Sequence, residues 1–337
     1  METMIKRLRT KDYNYNFSVK TGLFARWGKT LKDDPTFAPM PEILDIEVSE
    51  VCSGITGVPC SHCYKSNTKV GKNMDIDTFK KIIDNIPSLL QIAAGIGDID
   101  SNKDLFKMFE YCREKNIVPN VTINGARMTD EYYDKLATLC GAVSVSRYNP
   151  KDVCYNAVNE LSKRGLKQVN IHQLVSKETF SDCMGIISDA INDERLKGLN
   201  AIVFLMLKPK GKRNTYHMVD KDQYKLLVDF ALESGVNIGF DSCSAPAFLD
   251  CVKDNVNYKQ YEMLAESCES TRFSCYVNVE GKLFPCSFCE GEDGHQGIDV
   301  VNCNDFAKDV WNNEDVIKFR NKLICSKEGR CPQFDLL

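Results

Sequence analysis

Three thiols share one short stretch, Cys52-Ser-Gly-Ile-Thr-Gly-Val-Pro-Cys60-Ser-His-Cys63-Tyr64, directly behind the apolar, strand-like residues 43–48. Three cysteines on one loop, two of them separated by only two residues, can chelate a soft metal centre. A structural zinc or an ordinary electron-transfer cluster takes four protein ligands. A triplet with no fourth cysteine nearby therefore suggests a centre with one open position, and an open position means chemistry. Thiols gather again toward the C-terminus, at Cys243, Cys268, Cys275, Cys286, Cys289, Cys325 and Cys331, mostly outside obvious helix interiors, and imply a second metal site.

The chain has 337 residues and sixteen cysteines. That is many for a reducing compartment, where structural disulfides rarely persist. Metal ligation accounts for part of the number. Cys112, Cys140, Cys154, Cys183 and Cys251 fit helix faces or ends and read as small buried hydrophobes. A net charge of -4 argues against a dedicated nucleic-acid or membrane-surface protein. No N-terminal apolar segment resembles a signal peptide, and the longest apolar run, 201–207, is too short to span a bilayer. The expected location is the cytoplasm.

The elements that must position these thiols follow from periodicity. Residues 1–42 read as an N-terminal extension, with alternating residues 13–19 pairing with 23–27 as short strands. Strands are then expected at 43–48, 89–94, 117–124, 142–147, 168–175, 200–207 and 236–241. Helices are expected near 77–90, 102–115, 129–140, 151–165, 179–193 and 220–234, the first entered through Asp75 or Asp77 as N-cap. Strands alternating with helices of this length mean βαβ units and a mainly parallel sheet. The fold class is α/β, and six or so units make a complete or partial barrel whose ligands sit at the carboxyl ends of the strands. The cysteine loop follows strand one, Gly95-Ile-Gly97-Asp98 follows strand two, Asn124 ends strand three, and Ser146-Arg147 ends strand four. These polar residues should surround one pocket. His172 and Gln173 lie on strand five, where one side of the pleat faces the interior. The basic loop 208–213 either attracts an acidic substrate or is a solvated loop. Beyond residue 241 the rhythm breaks into a helical stretch, a hairpin over 276–285 with its turn at Glu280-Gly281, and a helix around 311–323.

The strand followed by a cysteine triplet, with His62 before the last cysteine, resembles the radical S-adenosylmethionine (SAM) superfamily. The resemblance implies a partial (β/α)6 TIM-like barrel over 43–241, with Cys52, Cys60 and Cys63 holding a 4Fe-4S cluster whose fourth iron binds SAM. The family's usual spacing is three residues then two; here seven separate Cys52 from Cys60. Gly95-Ile-Gly97-Asp98 stands where the family offers backbone groups to the SAM amino end, with the usual acidic-proline ending replaced by Asp98-Ile99. Tyr64 is a candidate to set its backbone against the adenine, or simply packs. Asn124 and Ser146 are candidates for the ribose or methionine moiety. Arg147 is a candidate for the SAM carboxylate, or makes a salt bridge.

Residues 242–337 resemble the SPASM or shortened twitch auxiliary domain of peptide-modifying and sulfatase-maturing radical enzymes, a small cysteine-rich hairpin-plus-helix unit. Cys268, twelve residues, Gly281, four residues and Cys286 match its opening signature, and Phe284-Pro-Cys286-Ser-Phe288 and 311–320 match later elements. The resemblance implies one auxiliary 4Fe-4S cluster on Cys243, Cys268, Cys286 and Cys331, with Cys275, Cys289 and Cys325 as rivals and structural zinc as the competing occupant. It further implies hydrogen abstraction from a peptide, protein or small-molecule substrate, and a reducing partner such as flavodoxin or ferredoxin.

Overall fold

The computed structural model describes residues 5–326 and 330–337. The chain opens with β1 (Ile5–Arg9), β2 (Asn14–Ser18) and β3 (Phe24–Trp27), an antiparallel sheet in that order. Phe17 of β2 lies opposite Phe24 of β3, as the alternation in 13–19 and 23–27 predicts. The strand β1 is an addition, because Ile5-Lys-Arg-Leu-Arg9 carries no apolar alternation and pairs through its backbone.

The rhythm expected from residue 43 onward is present. In order come β4 (Ile43–Glu47), α1 (Ile76–Asn85), β5 (Gln91–Gly95), α2 (Leu105–Glu114), β6 (Val118–Ile123), α3 (Asp130–Leu139) and β7 (Ala142–Ser146). They are followed by α4 (Asp152–Lys163), β8 (Gln168–Val175), α5 (Phe180–Asn192), β9 (Ala201–Met206), α6 (Lys221–Glu233) and β10 (Ile238–Phe240). Strands β4 to β10 pair parallel in chain order. Asp75 caps α1 by accepting from the amides of Asp77 and Thr78. That helix stops at Asn85 instead of reaching 90, because Pro87 cannot continue it and disfavours helical backbone just before itself. No described helix is long and apolar enough to cross a membrane.

Period-two alternation sorts the strand residues onto two faces. Leu44, Ile46, Ile92, Ile123, Val145, Ile171 and Phe204 are buried against helix residues such as Phe79, Ile82, Phe109, Leu161 and Leu227. The other, concave face keeps half-buried polar groups, among them Asp45, Asn120, Ser144 and His172.

After β10 the chain forms α7 (Ala245–Val252), α8 (Tyr258–Leu264), β11 (Ser274–Val277), β12 (Lys282–Phe284), β13 (Ile298–Asp299) and α9 (Glu314–Cys325). Strand β11 lies parallel to β4, with Tyr276 in register with Asp45, and β12 and β13 follow antiparallel. The hairpin thus extends the parallel sheet to ten strands and covers the exposed edge of β4. Gly281 supplies the positive φ, +77°, of the turn.

The N-terminal sheet closes the base of the barrel. Phe17 packs on Leu90 and Val118, and Gln168 Nε2 donates to the Thr21 carbonyl at 3.1 Å; all three partners stand at the amino ends of core strands. Glu42 is buried here, accepting from Tyr13 Oη and pairing with Arg26 at 3.5 Å, while Arg26 also pairs with Glu269 and lies 3.6 Å over the Phe273 ring. Burial outweighs these partners and lifts the Glu42 carboxyl to about 7. Its unfolded value is 4.5, so between the two the folded chain binds more protons, and stability falls as pH rises from 4.5 to about 7. Glu42→Gln is expected to flatten that part of a thermal-melt pH profile, leaving the contribution of Asp45, which burial lifts to the same region. An unchanged slope would remove Glu42 as its source.

Candidate functional site

The cysteine loop leaves β4 and is pinched at its base. Val51 bridges to Thr68, Ser49 bridges to Asn73, and the Cys52 amide donates to the Thr68 carbonyl at 2.7 Å. Within the pinch, Cys52, Cys60 and Cys63 come close enough for each thiol to feel the other two, and burial pushes Cys60 up to about 11. The residues between Cys52 and Cys60 form a tight turn: Gly54 has φ +71°, the Gly57 amide donates to the Gly54 carbonyl at 3.2 Å, and Val58 is 68% exposed at the tip. The unusual spacing is therefore absorbed by an outward excursion that leaves the thiols together.

Asp98 ties this loop to the next two strand ends. Its buried carboxylate accepts from the amide and hydroxyl of Ser53 at 2.8 and 2.7 Å and from Asn124 Nδ2 at 3.4 Å. Arg127 reinforces the knot, donating to Ser53 Oγ at 2.8 Å and standing 3.7 Å from Asp98. Asn124 also lowers the Cys52 thiol slightly, against the burial that raises it. Gly97 lies so close to Val51 and Cys52 that a Cβ there would overlap both, whereas a Cβ at Gly95 would meet nothing nearer than 3.7 Å. Ser146 stands on the concave face close enough to Tyr148 to offset part of the upward shift that burial gives its hydroxyl. Arg147 turns away from that face: it is 7% exposed and pairs with Asp182 of α5 at 2.8 Å. His62, between Cys60 and Cys63, packs 5.4 Å from the Tyr148 ring and 4.8 Å from Tyr216, and both its ring nitrogens are buried without a hydrogen-bond partner.

The second group of thiols assembles from four parts of the chain. Cys243, just after β10, interacts with Cys268, which precedes β11, and this neighbour together with burial pushes its thiol well up. Cys286 and Cys289, after β12, have Sγ atoms 3.6 Å apart, and Cys331 in the C-terminal segment interacts with Cys243 and Cys286. The four cysteines of the expected set lie in one region, linked in pairs, and Cys289 lies there as a fifth. Cys275 is buried in β11 opposite Leu44, and Cys325 is exposed at the end of α9. A cavity of about 270 Å³ opens beside these thiols, lined by Cys243, Pro246, Cys331, Phe334 and Leu336 among others. Among the described residues, no three His, Cys, Asp or Glu side chains gather at the spacing needed to hold one metal ion. The thiols of each group interact without closing on a point, and a sulfur-only donor set suits an iron-sulfur cluster.

The two groups are joined by side chains that only the fold brings together. The Tyr64 ring lies 4.4 Å from that of Phe288, and Tyr64 Oη donates to Ser287 Oγ at 3.3 Å. Lys65 bridges Glu47 of β4, at 3.2 Å, and Glu290 beyond the hairpin, while Tyr276 Oη reaches both carboxylates. The basic loop is spent on this junction. Lys208 pairs with Asp241, Lys210 with Glu292 at 2.7 Å, and Arg213 donates to the carbonyls of Ser66 and Asn67 at 3.1 and 2.8 Å. Gly211, with φ +109°, sits against the Cys63 carbonyl. Replacing Lys65 by Met should leave Glu47 and Glu290 confined without a cation and cost about 3 kcal/mol in a denaturant titration. A loss under about 1 kcal/mol would mean that the junction does not depend on this pair.

No protein-family profile matches the chain. The AdoMet-dependent heme synthase of Methanosarcina barkeri is 20% identical over 308 residues, covering 82% of this chain and 84% of that protein. SuiB of Streptococcus suis bound to S-adenosylmethionine superposes with a TM-score of 0.64 at 12% identity, over 84% of this chain and 68% of SuiB. The same enzyme bound to its precursor peptide SuiA gives 0.65 at 14% identity, over 84% and 67%. The enzyme anSMEcpe with bound AdoMet and Cp18Cys peptide gives 0.60 at 14% identity, over 85% and 84%. The chain thus shares its fold, a partial barrel with a three-cysteine loop behind its first strand, with structures that bind S-adenosylmethionine, and it is similar in sequence to an AdoMet-dependent synthase.

Proposed function

We propose that this chain is a radical SAM enzyme that acts on a peptide or protein side chain. The observation that carries the proposal is the grouping of Cys52, Cys60 and Cys63 on the loop after the carboxyl end of β4, with no fourth sulfur beside them among the described residues, next to the Gly95-Gly97 strand end. A four-iron cluster with SAM bound there would supply reductive cleavage of SAM and hydrogen abstraction from the substrate. The chain's own work is to hold and shield. The three thiols would hold the cluster, the backbone at Gly95 and Gly97 would meet the SAM amino end, the Tyr64 backbone would lie against the adenine, and Asn124 and Ser146 would reach the ribose or the methionine moiety. Asp98 keeps the loop and strand ends in register. The N-terminal sheet closes the base of the barrel against water.

Arg147 serves this site as a buried strut to α5, given its pairing with Asp182. Cys243, Cys268, Cys286 and Cys331 would hold an auxiliary cluster, with Cys289 adjoining. Residues 43–241 form the core and 242–337 a SPASM-like or twitch-like unit joined edge to edge with it. Support for a peptide substrate comes from SuiB and anSMEcpe, whose structures carry peptides. A small-molecule substrate is the second reading, favoured by the heme synthase relative.

Anaerobic reconstitution is expected to give about eight iron atoms per chain, from two 4Fe-4S clusters. Zinc in place of iron would sink the proposal.

A further inference from the structure

The concave face of the barrel carries one carboxylate that the fold leaves alone. Of the acidic side chains that β4 turns inward, Glu47 is satisfied by Lys65 and Tyr276. Asp45, one step deeper, makes no hydrogen bond or ion pair with any described residue. Its surroundings are desolvating, and burial, assisted by the charge of Glu269, raises its carboxyl to about 7. A half-buried carboxylate without a protein partner costs the chain stability. Such a group makes sense where its partner arrives from outside.

Space and charge both point to what that partner is. Along the sheet Asp45 is flanked by Tyr276 of β11 and by Ala93 of β5, whose short side chain leaves the carboxylate uncovered on that side. Next to Glu47 stands Gly95, exposed and with open room for a side chain. The cations near the strand ends, Lys65 and Lys208, are already committed to Glu47, Glu290 and Asp241. His172, facing the same interior from β8, is held neutral by burial, its pKa lowered to about 4, and so offers no charge. The interior is therefore left with an acid that no cation among the described residues of these strands neutralises.

We propose that Asp45 anchors a cationic group of the substrate, an ammonium or guanidinium, that enters the barrel from the carboxyl ends of the strands. This inference rests on the radical SAM reading, which places the substrate in the barrel. A guanidinium would bind both carboxylate oxygens, and either cation would hold Asp45 ionised.

The test is calorimetric titration of arginine amide, lysine amide and the neutral citrulline amide into the reconstituted, SAM-loaded protein. At least one cation is expected to bind about tenfold or more tightly than citrulline amide. Which of the two binds better tells guanidinium from ammonium. In Asp45→Asn the preference should shrink below about twofold, since the charge–charge term is gone. Ala93→Leu, which keeps the carboxylate and fills the space beside it, should weaken the cations to a similar degree. Equal affinities in a wild-type protein that holds iron and cleaves SAM would overturn the Asp45 anchor, as would a preference that survives in Asp45→Asn. A wild-type protein that holds no iron would overturn the radical SAM reading instead, and the comparison of amides would still decide Asp45.

Discussion

Replacing Cys52, Cys60 and Cys63 together by alanine is expected to abolish production of 5'-deoxyadenosine from SAM while leaving about half of the iron, four of about eight atoms per chain, on the C-terminal thiols. The separation follows from the structure. The loop is closed by backbone bonds between 49–52 and 68–73, and its end is anchored through Lys65 and Arg213, so no cysteine side chain is needed to shape it. The auxiliary thiols come from four other segments and are supported by Phe319 and Leu323 of α9, which pack around Cys289, Cys268 and Cys286. Iron analysis, electron paramagnetic resonance and product chromatography on the same preparation check both halves. Continued SAM cleavage by the triple variant would refute the assignment of the open-site cluster. Loss of all iron together with loss of the folded signal would show that the two centres are not separable units.

The sequence displays the barrel because the barrel is built from local regularities. Val143 and Val145, or Val169 and Ile171, sit at the spacing that one buried strand face requires, and Asp75 sits where a helix needs a cap. The candidate thiols were equally legible, since few chemistries need that many cysteines. What escaped was contact between distant parts. Asp98 reads as a degraded motif ending, yet its carboxylate secures Ser53, 45 residues earlier, and is braced by Arg127. The basic loop 208–213 reads as a surface feature, yet Lys208, Lys210 and Arg213 each have a partner at the junction of the two thiol groups. Lys65, Glu47 and Glu290 are unremarkable one by one, and only the addition of β11 beside β4 brings them together. Nor does any local pattern separate Cys289, which reaches the auxiliary thiols, from Cys275, which points into the strand-helix core. The N-terminal extension was visible as strands and silent as to purpose, because closing the base of a barrel needs nothing more distinctive than Phe17 and a few backbone carbonyls.

The second large effect is expected at glycine. Gly97 is required for close approach: a Cβ there would overlap the Cβ of Cys52 and the carbonyl oxygen of Val51 and come within 2.9 Å of the Cys52 Cα. Two of those three atoms belong to backbone that is itself fixed, the Val51 carbonyl by the Asp98 amide at 3.1 Å and Cys52 by its bond to Thr68. They cannot rotate aside as a flexible side chain would. Gly97→Ala must therefore push the first thiol away from the other two or break the Asp98 knot, at a cost of about 1–3 kcal/mol for overpacking. The functional loss should exceed the loss of stability, because a cluster held at three corners tolerates little displacement of one. Gly211→Ala attacks the opposite end, since its Cβ would overlap the Cys63 carbonyl and its φ of +109° is strained for any side chain. Both variants are expected to stay folded, to keep the auxiliary iron, and to lose the SAM-responsive signal in electron paramagnetic resonance. Gly185→Ala is the internal comparison: it lies within α5 with nothing within 4 Å of the added carbon, and should gain about 0.5–1 kcal/mol with SAM cleavage unchanged. If Gly97→Ala kept a full SAM-responsive cluster, the close packing of the second strand end against Cys52 would not be what holds the first thiol in place, and the burden would fall on Asp98 and Asn124 alone.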